Sequence, residues 1–509
     1  MRVQTTGYTN SKYIKNKMTF WFLLLLGIIT YYMVQRSVAQ ITKTPVWLLW
    51  LVLMAPPLIW TGWSAVYGVE VRPPRALMIA PLVISPILYW VLFQLGRRPS
   101  EATQAMEAVP KSQLAINPTP ETVASARPIQ PNEETQLRNC FPWSLYYLQE
   151  IEYRPQAVIC KGQLRTDATA AYKQVKENIE AEFGDRFIVM LQEGFNGKPI
   201  FVLVPNTQLA KYQQRSSEKL TRPGLALALL FATLMTTTLV GTRIAGVEAQ
   251  QLKDNLGVLS RGLPYALALL TILGIHELAH YITARRYKIR ATLPYFIPIP
   301  LFLGTFGAFI QMRSPVPNRK ALFDVSVAGP LAGFIATLPI LAWGLAHSTI
   351  TPLTEQSGLF NPDSLNPRYS ILLALISKLV LGSQLITKTA IDLHPVAFAG
   401  LLGLVVTALN LVPVGQLDGG HIIHAMFGQR NAIFIGQIAR FLLLLLALVQ
   451  PGFLLWAIML IFVPLIDEPA LNDVTELNNQ RDILGILSIA LLILIVLPLP
   501  NVFVRLLGL

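Results

Sequence analysis

The residues most able to do chemistry are His276-Glu277-Leu278-Ala279-His280, an H-E-x-x-H pattern. On a helix the two histidines sit one turn apart on one face, so both imidazoles can reach a single zinc ion. Glu277 lies beside that face, where it can take a proton from water without being a ligand itself. The chain has only 6 His, and a chain of this composition is expected to contain about 0.002 such matches by chance. The pattern also lies inside an apolar run from Pro264 to Tyr287. Ionisable side chains are costly there and mark function, whereas in water a buried histidine pair would be unremarkable.

A hydrolytic zinc centre takes three protein ligands and leaves one position open, so a third donor must come from elsewhere. The candidates are Asp418, His421, His424 and Asp324. Asp418 is the best of them on physical grounds. Pro413 and Gly415 weaken the helix just before it, which lets backbone and side chain turn inward, and Gly419-Gly420 permits close approach. His421 is an alternative ligand, or a donor to the Asp418 carboxylate. His424 reads as an interfacial histidine without a role, and Asp324 as the N-cap of the next span. Asn410 either hydrogen-bonds in the site or bridges two helices.

The elements that must position these groups are membrane helices. Of 509 residues 53% are hydrophobic and only 14% charged, with mean hydropathy +0.49. Soluble domains carry roughly 25% charged residues. The net charge of +13 is that of Lys and Arg gathered in cytoplasmic loops, and no aromatic-studded basic stripe suggests nucleic acid. Apolar runs are expected to span at about Met18–Val34, Val46–Val66, Ala76–Leu95, Leu225–Gly241, Pro264–Tyr287, Val325–His347, His394–Val414, Ile433–Val449, Phe453–Ile466 and Ile483–Val496. Tyr369–Leu381 is shorter and reads as interfacial or re-entrant. The expected fold is mainly α: a polytopic helical membrane protein of about 9–10 spans, with a re-entrant extended hairpin and a small α+β soluble module.

The hairpin is expected at Ala291–Arg313, where Pro294, Pro298 and Pro300 forbid a regular helix and Gly304-Thr305-Phe306-Gly307 allows a turn. The soluble module is read from strands at Gln156–Leu164, Arg186–Gln192 and Pro199–Val204. A helix from Ala168 to Glu182 is capped by Thr166-Asp167 and ended by Gly184, and Asn196-Gly197 signals a hairpin. Its two cysteines, Cys140 and Cys160, read as reduced thiols. The resulting divisions are N-terminal membrane helices 1–98, a disordered linker 99–137 of Pro, Ala, Thr, Ser and Glu, the module 138–210, and the membrane domain 211–509.

The pairing of H-E-x-x-H with Asn410-x-x-Pro413-x-x-x-x-Asp418-Gly419 resembles the site-2 protease family of intramembrane zinc metalloproteases. The element Gly162-Gln163-Leu164-Arg165 is similar to the G-N-L-R of a plant plastid and cyanobacterial branch, the ethylene-dependent gravitropism-deficient and yellow-green proteins, with Gln163 in place of Asn. The resemblance implies that His276, His280 and Asp418 hold zinc and that Glu277 activates water. It implies a membrane-anchored protein substrate within the lipid bilayer, in a cyanobacterial plasma or thylakoid membrane or a plastid membrane. Arg285, Arg286, Lys288 and Arg290 after the motif, then Arg313, Arg319 and Lys320, place the site near the cytoplasmic or stromal face. Counting back leaves the basic N-terminus outside, against that rule. A transporter or channel with an intramembrane metal or proton site is the rival reading. A catalytically dead scaffold is a third, and the intact ligand set argues against it.

Overall fold

The computed structural model describes residues 27, 30, 31, 35, 44–67, 74–96, 128–154, 157–194, 197–206, 222–299, 303–354, 357–359, 361–386, 389–449 and 453–508. They fall into two compact units, divided at Pro118. The apolar run Met18–Val34 and the linker up to residue 127 lie, isolated positions aside, outside the described residues.

In the first unit, α1 (Val46–Tyr67) and α2 (Arg75–Gly96) form a helical pair. Leu49 is fully buried against Tyr89 and Leu92. Thr44 donates to the Leu92 carbonyl at 2.7 Å and Trp60 Nε1 to the Leu77 carbonyl at 3.2 Å. Pro56 and Pro57 sit inside α1, as membrane helices tolerate when neighbours satisfy freed carbonyls.

The second unit begins with the soluble module. Residues 128–137 belong to it, which corrects the expected linker. Pro131–Glu133 form a 3-10 turn leading into the helix Glu134–Asn139. Ile129 and Leu137 reach the module core, so two apolar anchors outweigh the surrounding polar composition. The sheet is antiparallel in the order β1-β2-β4-β3: β1 Tyr146–Arg154, β2 Ala157–Leu164, β3 Phe187–Glu193, β4 Pro199–Pro205. Helix α3 (Ala168–Phe183) starts where Asp167 accepts from the Thr169 and Ala170 amides, and stops at Gly184 with φ +59°. Strand β1 has no counterpart among the expected strands. Glu150, Glu152 and Arg154 interrupt its apolar pattern, and two of them pair with Lys161 and blunt a free sheet edge. Gly162 passes over the Tyr146 ring, where a Cβ would come within 2.7 Å of it. The Arg165 guanidinium lies 5.7 Å over Trp143 and 5.1 Å over Tyr147. The Gly162–Arg165 element is thus a packing device of the β1–β2 corner.

Six helices among the described residues are long and apolar enough to cross a membrane. They include α1, α4 (Pro223–Ile244), α5 (Leu263–Arg286) and α6 (Arg319–Ala346). After α7 (Ile371–Leu381), α8 (Pro395–Leu411) and α9 (Asp418–Phe427) come two more of the six, α10 (Gln429–Val449) and α12 (Asn479–Val496). Between those two, α11 (Leu454–Phe462) has 9 residues, about 14 Å of helix and too short to span alone. The expected span at Phe453–Ile466 is corrected accordingly, because Val463 leaves helical geometry just before Pro464. Helix α8 is buried nearly all round, as a central helix should be. Its Gly400 meets Leu341 and its Gly403 meets Thr337 so closely that a Cβ would lie 2.7 Å and 2.5 Å from them. Small residues thereby let α6 and α8 approach backbone to backbone.

The expected re-entrant hairpin is present as β5 (Tyr295–Pro298) and β6 (Thr305–Phe309), paired antiparallel. Gly304, at φ +85°, lies against Thr236 and Thr237 of α4, and its carbonyl accepts from Thr236 at 2.7 Å. A second short ribbon pairs β7 (Thr349–Pro352) with β8 (Thr389–Asp392).

Both cysteines of the module are free and buried. Burial, with a smaller effect of Glu182, raises the Cys140 thiol to about 11, and burial raises Cys160 to about 12. The thiolate is the reactive form. At pH 7.5 a maleimide should label neither residue in the folded protein and both in urea, read by mass spectrometry of the peptides.

Candidate metal centre

Helix α5 begins with Pro264 at its first turn and runs 24 residues to Arg286. His276 and His280 project from it side by side, Nε2 to Nε2 at 3.1 Å. Both are buried, as is Glu277 between them. The residues just before them, Ile272, Leu273, Gly274 and Ile275, are non-polar, so the three ionisable groups interrupt an apolar stretch.

The third donor arrives from the break after α8. Helix α8 ends at Leu411, Gly415 takes φ +50°, and α9 opens on Asp418. Gly419 and Gly420 lie against the backbone of Leu411, Val412 and Gly415 so tightly that side chains there would overlap it. The Asp-Gly-Gly sequence is therefore what allows the carboxylate to fold back. Asp418 Oδ2 lies 3.3 Å from His280 Nε2 and 3.6 Å from His276 Nε2.

Among the described residues, His276, His280 and Asp418 are the one group of three such side chains able to share a metal ion. Zinc bonds of about 2.0–2.1 Å in a tetrahedron imply donor–donor edges of about 3.3 Å. The observed edges are 3.1, 3.3 and 3.6 Å. Two imidazole nitrogens and a carboxylate oxygen are also the donor types of a hydrolytic centre with an open fourth position. The residues present fit the ion in both number and spacing.

The surroundings orient these donors. His280 Nδ1 lies 2.8 Å from the Val325 carbonyl on α6. That acceptor holds the proton on Nδ1 and leaves the Nε2 lone pair facing Asp418. On the same helix Gly329 lies under the His280 ring, which a Cβ would overlap, and Gly333 lies under His276, 3.0 Å from Nδ1 to a built Cβ. Asn410 Nδ2 is 3.2 Å from His276 Nε2, a contact that both faces the donors and joins α8 to α5. Glu277 Oε1 is 4.0 Å from His276 Nε2, near the donors but outside their triangle. The Ile310 amide, at the end of β6, reaches its carboxylate.

Three other expectations are corrected. His421, read as a ligand or a donor to Asp418, has its Nδ1 2.8 Å from Asp467 Oδ2, because the loop after α11 brings that carboxylate against it. His424, read as idle, is fully buried between Asp467 and Asp473. Asp324 is neither ligand nor cap: Asn318 caps α6 by accepting from Ala321, and Asp324 pairs with Arg481 of α12 through two nitrogens, at 2.8 and 2.6 Å. Tyr287 donates to the same carboxylate.

Residues 264–449 match the model of peptidase family M50. The chain carries a peptidase family M50 domain. That domain holds all three donors. Residues 135–211, the soluble module, match the EGY3 middle domain. The chain is 30% identical over 369 residues to the probable zinc metalloprotease EGY2, chloroplastic, of Arabidopsis thaliana, covering 71% of this chain and 64% of that protein. It is 37% identical over 237 residues to the corresponding EGY1 of Arabidopsis thaliana, covering 46% of this chain and 43% of that protein. With the probable zinc metalloprotease EGY3 of Oryza sativa subsp. japonica it shares 27% identity over 380 residues, 71% of this chain and 64% of that protein. The chain thus spans less than two thirds of the length of these relatives.

Gly329 and Gly333 of the M50 domain went unread in the sequence, although a small-xxx-small pair in an apolar span is a legible signal of close helix approach. Replacing Gly329 by Ala should cost the protein its metal while its helical content by circular dichroism stays near wild type. Gly333→Ala should cost less, since its Cβ meets the ring at a distance that a small shift relieves. Metal content by atomic absorption after dialysis checks both.

Proposed function

We propose that this chain is a zinc-dependent intramembrane endopeptidase that cuts membrane-anchored protein substrates. His276, His280 and Asp418 hold the zinc and Glu277 is the general base. The observation that carries this is the set of three donor–donor edges at 3.1–3.6 Å, inside a body of membrane-crossing helices. The names of the EGY relatives, zinc metalloproteases of chloroplasts, point the same way.

When bound, zinc supplies a Lewis acid that lowers the pKa of a water toward about 7 and polarises a carbonyl. The chain's own groups do the rest. Glu277 takes the water proton and passes it to the leaving amine as the peptide bond breaks. Its place 4.0 Å from His276 Nε2, outside the donor triangle, suits a base that is not a ligand. Asn410 faces the same space and offers an amide to the oxygen on which charge develops.

Substrate presentation falls to the hairpin. A helical peptide bond must unwind before it can be cut, and an extended segment can add to a free strand edge. Among the described residues, strand β6 is paired on one side only, with β5. Phe306 and Phe309 are exposed on it, and Ile310 at its end reaches Glu277. An edge that ends at the general base can align an unwound peptide with the donors. The basic residues after α5 put the site toward the cytoplasmic or stromal side of a plastid or cyanobacterial membrane.

Glu277→Gln should abolish cleavage of a single-span reporter in detergent while keeping zinc, and His276→Ala or Asp418→Ala should lose zinc. Cleavage by Glu277→Gln would remove Glu277 from its role. Metal flux in proteoliposomes without cleavage would favour a transporter instead. Phe306→Glu, on the exposed edge, should lower reporter cleavage at least tenfold with zinc content unchanged, and wild-type cleavage would reject the strand-edge docking.

A further inference from the structure

Two donors of the centre sit on a long helix packed on both sides. The third, Asp418, sits at the start of the 10-residue helix α9. With side chains at a radius of about 6 Å, turning such a helix by about 20° swings a side-chain tip by about 2 Å. That exceeds the roughly 0.5 Å tolerance of a working site. Something must fix the rotation of α9.

His424 on α9 is fully buried, with Nδ1 2.7 Å from Asp467 and Nε2 3.0 Å from Asp473. Both carboxylates come from the loop that joins α11 to α12. One imidazole gripped on both edges fixes a helix about its axis. The same loop is gripped in turn. Leu471 and Asn472 donate to the Val316 and Pro317 carbonyls just before α6, at 2.9 and 3.0 Å. On the other side, the Leu191 amide of β3 donates to Leu471 at 2.7 Å, and Asp473 donates back to Leu191 at 2.8 Å. Asn472 Nδ2 donates to the Ala168 carbonyl at the start of α3. Asn472 therefore forms a parallel bridge on each side, to Leu191 on the module's β3 edge and to Asn318 just before α6 in the M50 domain. Asp473 also lies 3.5 Å from Arg319, the first residue of the helix that seats both imidazoles.

We propose that the docked soluble module is a positioning element of the metal centre: through residues 471–473 and the Asp467–His424–Asp473 lock it holds α9 in the rotation that aims Asp418 at the two imidazoles. This rests on Asp418 being a zinc ligand. His424, Asp467 and Asp473 are positioning residues and touch neither substrate nor metal. Control of the module's β3 edge is then control of the protease.

The test uses the full-length protein in detergent, with zinc affinity read by competition against a chromophoric chelator. Asn472→Ala alters the module side of the lock without touching α9. It should weaken zinc binding at least tenfold and speed hydrogen exchange in residues 418–427. Cleavage should recover at saturating zinc, because every reacting group is still present. Asp473→Asn, which keeps a hydrogen-bond partner for His424, should lie between it and wild type. His424→Leu should lose zinc most, and if it does not fold, the other two variants decide. Wild-type zinc affinity in Asn472→Ala and Asp473→Asn overturns the proposal. So does cleavage that stays lost once zinc is fully loaded. His276→Ala is the separating control: if it keeps zinc, the metal centre itself is misassigned, whereas if it loses zinc and the lock variants do not, only the lock fails.

Discussion

A carboxylate must meet two imidazoles among apolar helices, and the rest of the structure answers to that demand. Taking a charged carboxylate out of water costs several kcal/mol unless a partner compensates it. His276, His280 and Asp418 are each other's compensation. The cost of leaving any one of them alone makes their convergence an all-or-none feature. It also explains why the flanking helices are packed so closely. Gly329, Gly333, Gly400 and Gly403 remove side-chain bulk where α5, α6 and α8 meet, so the imidazoles are held by contact rather than by loops.

The polar groups around the centre are arranged by rank of distance from it. Val325 fixes one imidazole tautomer and Asn410 faces the other imidazole. Beyond them, Asp324 with Arg481 and Tyr287 ties the ends of α5, α6 and α12 together, one residue away from the carbonyl that orients His280. Partly exposed ion pairs of this kind contribute little net stability. They act here as registers between helices. The His424 lock does the same for α9, and it links the membrane helices to the soluble module that the chain places before them.

Much of the site was legible in the sequence because its parts are local. H-E-x-x-H puts two imidazoles on one helical face whatever the tertiary fold, and Pro413, Gly415 and Gly419-Gly420 announce a break and a close approach around Asp418. Pro294, Pro298 and Pro300 exclude a helix between α5 and α6 for the same local reason. The module's helix was readable from Asp167 and Gly184, which act within a few residues of themselves. Strand β1 was not, because an edge strand bearing Glu150, Glu152 and Arg154 lacks the apolar alternation that marks a buried one.

Sequence alone determined which residues carry metal-donor groups, which segments are apolar enough for a membrane, and where helices must stop, since each is set by neighbours along the chain. Tertiary structure decided which carboxylate joins the histidines, that His421 and His424 face Asp467 and Asp473, that Asp324 belongs to Arg481, and that residues 471–473 join the module's sheet edge. Those pairings link positions 43 to 304 residues apart. Such distances carry no local signal, because a carboxylate's partner is chosen by the folding of the helices between them.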